Sequence, residues 1–368
     1  MGITAPRPNN GRNWLPILTT YVYIALVVWA ALEFFRWREH QVPWWTDIPV
    51  GLFAVALIGP AQHRLLILGQ EAALGVLFRN RWLNELAGDW LIHFPFSTAT
   101  HHVRQQVLAH YQHPNDSERD AELVIARRAG FWPLQWPRLL RLSAIVRWVS
   151  LRVNYNFEHN PNNPFFDPAR PPSKVALHIG TAYVLLTFAI LLGLYFFRRQ
   201  LGDDLVESVL AYVLPALWAV AFIVFLVLPD SKFHRGRLEG VYSVKALTLM
   251  RITFISLVNA ALGWITFLTE RSAVLNYIAL WIGPMFTTTA ACYLMRQWRQ
   301  HGNLPPGQGA LDRSPGLLGR FFLFPLNQDR HTAKHAAPET PWYCLTTRST
   351  SSASHSPTPR IDPDPAPR

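Results

Sequence analysis

The stretch VALHIGTAYVLLTFAILLGLYFF, residues 175–197, decides the fold. It contains no Asp, Glu, Lys or Arg. About 20 apolar residues in a helix cross a bilayer core, so this stretch reads as a membrane span. Val206–Leu228 has the same character. Leu247–Leu268 and Ala273–Met295 form a helical hairpin around a tight, polar turn. Upstream, Trp14–Phe35 is another span: it is too long for a signal-peptide core, and no small-residue cleavage site follows it. A further apolar helix starts near Asp47, passes Gly59 and Pro60, and continues into His63–Phe78, a less apolar segment that carries Gln70 and Glu71. The count is six spans, or four if the second and fifth stretches do not cross.

Composition agrees. Half of the 368 residues are hydrophobic and 15% are charged, against about a quarter charged in soluble domains. The 15 Trp, 22 Phe and 11 Tyr suit interfacial aromatic belts. A soluble α/β enzyme, a disulfide-rich secreted domain and a disordered protein are excluded. Cys292 and Cys344 offer neither a disulfide framework nor a thiolate metal site. The expected fold is an all-α integral membrane protein with a helical cap formed largely by residues 79–174, a region rich in Arg, Trp, Pro and His.

The net charge of +11 reads as cytoplasmic loops, not as a nucleic-acid surface. Six spans put the N-terminus, 79–174, 229–246 and the C-terminal region on one face. Outside the spans, that face holds every Lys and Arg except Arg36, Arg38, Arg198, Arg199 and Arg271, so the positive-inside rule makes it cytoplasmic. Ten of the fourteen histidines fall in 79–174 and 296–368 on the same face. From Thr346 onward the chain is rich in Ser, Thr and Pro and is expected to be disordered. Residues 1–345 are then one membrane-embedded domain.

Four segments resemble the histidine boxes of the membrane fatty-acid desaturases. Leu68-Gly-Gln-Glu-Ala-Ala-Leu-Gly75 is similar to the first box, His-Glu-Ala-x-His-Gly. Val103-Arg-Gln-Gln-Val-Leu-Ala-His-Tyr111, followed by the acidic run to Asp120, resembles the second, Tyr-Arg-x-x-His-Leu-x-His-His with its Asn-Asp-Pro-Glu-Arg-Asp continuation. Arg296-Gln-Trp-Arg-Gln-His-Gly302 resembles Arg-x-x-x-Glu-His-Gly. His331-Thr-Ala-Lys-His-Ala-Ala-Pro338, with Pro341-Trp-Tyr343, resembles His-x-x-His-His and a following Pro-Trp-Tyr. The order and spacing match over residues 45–345. The resemblance implies a di-iron centre that oxidises an acyl chain with O2, a membrane-lipid substrate, and a ferredoxin- or cytochrome-type electron donor. It stops at Leu345, which fits a drifted or truncated gene copy.

The departures bear on that implication. Gln70, Leu74, Val107, Tyr111 and Lys334 stand where the family has histidines. His110, His331 and His335 survive, with His301 at the extra motif beside Gln300. Glu71, Gly75, Asp116 and Asp120 are the other remnants. Leucine has no lone pair, and an ammonium at Lys334 would repel ferrous iron. The expected metal ligands are therefore His110, His301, His331 and His335, around at most one ion. His113, three residues after His110, is a further candidate, and His63, His93, His101 and His102 read more simply as interfacial or solvated.

Three bland readings accompany these. Glu71 is expected to pair with Arg64 or Arg79, 115–120 to be a solvated loop, and Trp342 and Tyr343 to be interfacial anchors. The function expected is a desaturase-like lipid-modifying protein with an impaired di-iron site; the alternative is a non-catalytic lipid-binding or partner-regulating pseudoenzyme. A transporter is disfavoured, because the spans show no repeat symmetry and the clear ones carry no deep charge.

Overall fold

The computed structural model describes residues 8–345 except 39–40, 135, 159, 161, 170–172, 234–239 and 303. The expected disordered segment, 346–368, lies outside the described residues. All regular elements among the described residues are helical. Six helices are long and apolar enough to cross a membrane: Trp14–Arg38, Trp44–Ala73, Val175–Phe196, Asp203–Val227, Val244–Thr269 and Ala273–His301. The second and fifth stretches are among them.

In chain order we label α1 (Trp14–Arg38), α2 (Asp47–Ala73), α3 (Arg81–Gly88), α4 (Thr100–Gln112), α5 (Ala121–Arg128) and α6 (Leu142–Asn154). There follow α7 (Val175–Phe196), α8 (Asp203–Val227), α9 (Val244–Thr269), α10 (Ala273–His301) and the short α11 (His331–Ala336). α8 and α10 each contain a π-helical turn, at Val209–Val213 and Ile278–Ile282.

The chain divides into two compact units. Residues 167–281 form one, in which α7, α8 and α9 pack together. Tyr183, Ala221, Phe225 and Ile252 make one buried cluster, and Leu191, Leu210 and Val274 belong to another. Two polar ties join α7 to α9: Tyr183 Oη lies 2.6 Å from Ser256 Oγ, and Asn259 Nδ2 donates to Thr187 Oγ1 at 2.8 Å. The outward positions are apolar too, including Leu186, Ile223, Leu226 and Leu257. A helix apolar all round suits a lipid environment.

Residues 1–166 and 282–368 belong to the other unit, and its centre is α2. This helix packs against α1, α3, α4 and the last part of α10. Gly59 is what lets α10 approach. A Cβ there would lie 2.0 Å from Thr288 Oγ1, whereas glycine allows the Thr288 hydroxyl to bond Val55 O at 2.8 Å. Small residues at helix contacts serve this purpose in membranes. One turn on, Thr289 Oγ1 donates to the buried Gln62 Oε1 at 2.7 Å.

α2 ends at Ala73 and does not run on to Phe78 as the hydropathy suggests. Gly75 takes a left-handed conformation, φ +74°, a common way to stop a helix. The next backbone N–H groups, of Leu77 and Phe78, turn to Asn84 Oδ1 at 3.1 and 3.2 Å. The bend brings α3 and then α4 back against α2. Arg104 of α4 ties the corner by donating to Ala73 O at 2.8 Å and pairing with Glu85.

Candidate metal centre

Three separate elements carry the histidines. α4 presents His110, α10 ends on His301, and α11 carries His331 and His335 one turn apart. All four are buried, each between 2% and 8% exposed. One ring nitrogen from each lies within 4.8 Å of all the others. Metal–imidazole bonds of about 2.1 Å put neighbouring donors of a tetrahedral ion about 3.4 Å apart, so the four nitrogens would draw inward to close on one metal. The rings stand nearly perpendicular to one another, with His110 and His301 centroids 4.7 Å apart and His331 and His335 4.8 Å apart.

The donor atoms are free for a metal. His110 Nε2, His331 Nδ1 and His335 Nε2 are buried without a hydrogen-bond partner. Leaving such groups unpaired is costly, and an ion at their meeting point would satisfy them. Burial, followed by the neighbouring His335 and His301 rings, drives His331 well below the usual imidazole pKa; burial, then His110 and Arg296, does the same to His335. Both are therefore neutral, as ligation requires. His110 is different. Burial pulls its pKa down, but the Asp120 carboxylate outweighs that and raises it overall.

Asp120 orients His110. The His110 Nδ1 lies 3.0 Å from both Asp120 carboxylate oxygens, which turns Nε2 toward the cluster. Metal-bound imidazoles are commonly held this way, through the nitrogen remote from the ion. Asp120 also caps α5 by accepting from Glu122 N and Leu123 N at 3.0 and 3.2 Å, and accepts Asn115 N at 2.9 Å. The expected solvated loop at 115–120 holds in its middle, where Ser117, Glu118 and Arg119 are exposed, but its ends Asn115 and Asp120 are buried. Asn115 adopts a left-handed backbone, φ 60°, and its amide reaches the carbonyls of Gln308 and Gly309. Asp116 stays outside as a turn former, its Oδ1 accepting from Glu118 N at 2.8 Å.

His113 does not join the cluster. It is the residue after α4, half-buried, and burial lowers its pKa. His63, His93 and His101 are buried, not interfacial or solvated. His93 Nε2 sits 3.3 Å from Gly69 O.

Gln70, Leu74, Val107, Tyr111 and Lys334, where the resemblance led histidines to be expected, lie as follows. Gln70 Nε2 donates to Tyr293 Oη at 3.3 Å. Leu74, Val107 and Tyr111 pack with Ala73 and Val103 in an apolar cluster, and the Tyr111 ring lies 4.7 Å from His335. Lys334 is engaged by other partners. Its Nζ meets Glu71 Oε1 at 2.7 Å, both side chains 1% exposed, and donates to Thr340 O at 2.8 Å. The expected partners of Glu71, Arg64 and Arg79, are thus replaced by Lys334. Two irons do not fit this donor set: it offers four imidazoles gathered in one cluster, with an ion pair and an apolar cluster as neighbours.

Glu71 Oε2 also accepts Trp342 N at 3.1 Å, and Trp342 Nε1 donates to Asn13 Oδ1 at 2.7 Å. Tyr343 Oη accepts Asn9 N at 2.9 Å beneath the Arg12 guanidinium. Trp342 and Tyr343, both half-buried, thus fasten this segment to Asn13 and Asn9 near the N-terminus.

Two polar groupings lie beside the site, and of their members only Arg296 and Gln300 belong to a motif read in the sequence. Arg296, 1% exposed, donates to Gln300 Oε1 at 2.9 Å and to Gln328 Oε1 at 3.3 Å. Glu122 takes Tyr293 Oη at 2.6 Å and Arg152 Nη1 at 2.8 Å. Burial pushes the Glu122 pKa up, and Arg152 more than reverses this. A polar residue inside an apolar helical stretch is the only signal sequence offers for either grouping, and it names no partner.

No protein-family model, curated protein or solved structure matches the chain.

Proposed function

We propose that this is a desaturase-like, lipid-modifying membrane protein whose metal centre holds one ion on His110, His301, His331 and His335. One observation carries the reading: four buried imidazoles from three elements offer nitrogens within 4.8 Å of one another. Neutral imidazole suits iron among the common metals, and iron is the metal proposed. The six apolar helices supply the bilayer setting, and an acyl lipid is the proposed substrate. The N-terminus, the histidine segments and the C-terminal region are proposed to be cytoplasmic, on the asymmetry of Lys and Arg. If the protein is active, electrons come from a ferredoxin- or cytochrome-type donor.

The residues do not support two-iron oxygen activation, and no step is derived through such a centre. The buried Glu71–Lys334 pair favours a second reading, in which the scaffold binds acyl lipid or an active partner without oxidising it.

Elemental analysis of protein purified from iron-replete cells tests the proposal. We expect about one iron per chain, and at least a hundredfold weaker binding in His301→Ala, since even groups that only orient a ligand contribute 10–100-fold. Two irons per chain, or none, would overturn the single-ion reading. Altered unsaturation or hydroxylation of cell lipids on expression, lost in His301→Ala, separates the lipid-modifying protein from the non-catalytic one.

A further inference from the structure

The end of α10 carries a buried charge that no carboxylate neutralises among the described residues. Arg296 is 1% exposed, and a guanidinium stays protonated in proteins. Its Nη1 donates to two neutral amides, Gln300 Oε1 at 2.9 Å and Gln328 Oε1 at 3.3 Å. Nε and Nη2 are buried without a hydrogen-bond partner. The acids of this region are engaged elsewhere: Glu122 with Arg152, Glu71 with Lys334, Asp329 with Arg320 and Asp120 with His110.

The same amides tie this charge to the histidine cluster. Gln300 directly precedes His301 and Gln328 lies three residues before His331, while Gln300 Nε2 donates to Gln328 O at 2.6 Å. The guanidinium is thus fixed against the segments that carry His301 and His331. Its field reaches further: burial first, and Arg296 among the neighbouring charges, lower the pKa values of His331 and His335.

Four neutral imidazoles bring no negative charge to an ion. Asp120, behind His110, is offset by Arg296, and the Glu122–Arg152 and Glu71–Lys334 pairs cancel internally. Coulomb repulsion grows with the charge of the ion, so a buried cation opposes a trivalent ion more than a divalent one. The groups around a metal set its redox potential in this way.

We infer that Arg296, bonded to the amides of Gln300 and Gln328 and to no carboxylate, holds the bound iron in the ferrous state. The inference deepens the proposed function and rests on its single-ion reading. It makes residue 300 the position that sets the charge beside the centre.

Gln300→Glu would give the guanidinium a carboxylate one helical turn away. At an effective dielectric of about 20 and a separation of about 10 Å, one unit charge changes the ferric-to-ferrous ratio by about tenfold or more. The test uses the full chain in detergent, loaded with Fe2+ without oxygen and poised with redox mediators. Electron paramagnetic resonance reads the ferric fraction. Gln300→Glu is expected to raise the ferric-to-ferrous ratio at a given potential at least tenfold, a midpoint lowered by about 59 mV or more. Arg296→Gln should move it the same way. Gln300→Ala, which removes the same hydrogen bonds without adding charge, should leave the midpoint close to the parent's. The parent itself should stay ferrous in air-equilibrated buffer.

A Gln300→Glu protein that holds iron at the parent's midpoint would overturn the inference, as would an equal shift in Gln300→Ala. Parent iron that turns ferric in air would overturn it too, and this result decides even where no variant loads. Failure of the parent to bind iron would instead overturn the single-ion reading beneath it.

Discussion

The two lobes of the buried site solve the same problem in opposite ways. On one side, His110, His301, His331 and His335 bring ring nitrogens within 4.8 Å of one another. On the other, Glu71 and Lys334 neutralise each other directly, with Leu74, Val107 and Tyr111 packed nearby. A lobe that gathers lone pairs needs an external cation to be satisfied. A lobe that contains its own ammonium does not. The position next to His335 thus separates a metal-dependent half from a self-sufficient one.

The largest change would come from erasing that contrast. Gln70→His, Leu74→His, Val107→His, Tyr111→His and Lys334→His together are expected to raise bound iron from one to two per chain. Iron that stays at one by elemental analysis would count against the alignment of these positions with histidine boxes.

Breaking only the self-sufficient lobe is next. Lys334→Met leaves the Glu71 carboxylate buried and unpaired, which should cost about 3–5 kcal/mol of stability. Thermal unfolding in detergent would measure it. Adding Glu71→Gln should recover most of the loss, and metal content should stay unchanged throughout, because the Lys334 ammonium is engaged by Glu71 and Thr340 and is not among the four clustered imidazoles.

On the metal-dependent side a gentler change suffices. Asp120→Asn keeps a helix cap of equal quality but removes the carboxylate behind His110. Metal affinity should fall about 10–100-fold with little loss of stability. A competition titration with a chelator reads the difference, and equal affinity would remove Asp120 from its orienting role. The smallest effect is expected at the rim. Trp342→Phe deletes the hydrogen bond to Asn13 at about 1 kcal/mol, visible as a modest fall in unfolding temperature without change in metal content.

The spans were legible in the sequence because bilayer crossing is a one-dimensional property: length and apolarity along one segment suffice. The end of α2 was misjudged because one glycine, Gly75, stops a hydrophobic run that hydropathy alone would continue. Which histidines gather followed from the family resemblance. The partners around them did not, since pairing across long separations leaves no local trace. Glu71 with Lys334 and Asn13 with Trp342 are of that kind. Asp120 is the exception. An aspartate immediately before the apolar Ala121–Ala126 run is a helix-cap signal, and reading it so would have buried the residue beside His110.

The distance along the chain between His110 and α11 has a consequence for biogenesis. During synthesis the first imidazole emerges long before the last two, and five of the six apolar helices precede His301. No fragment ending before residue 335 contains the full donor set. Under the single-ion proposal, capture of a metal by all four imidazoles is therefore a late event, after five of the six apolar helices have been made.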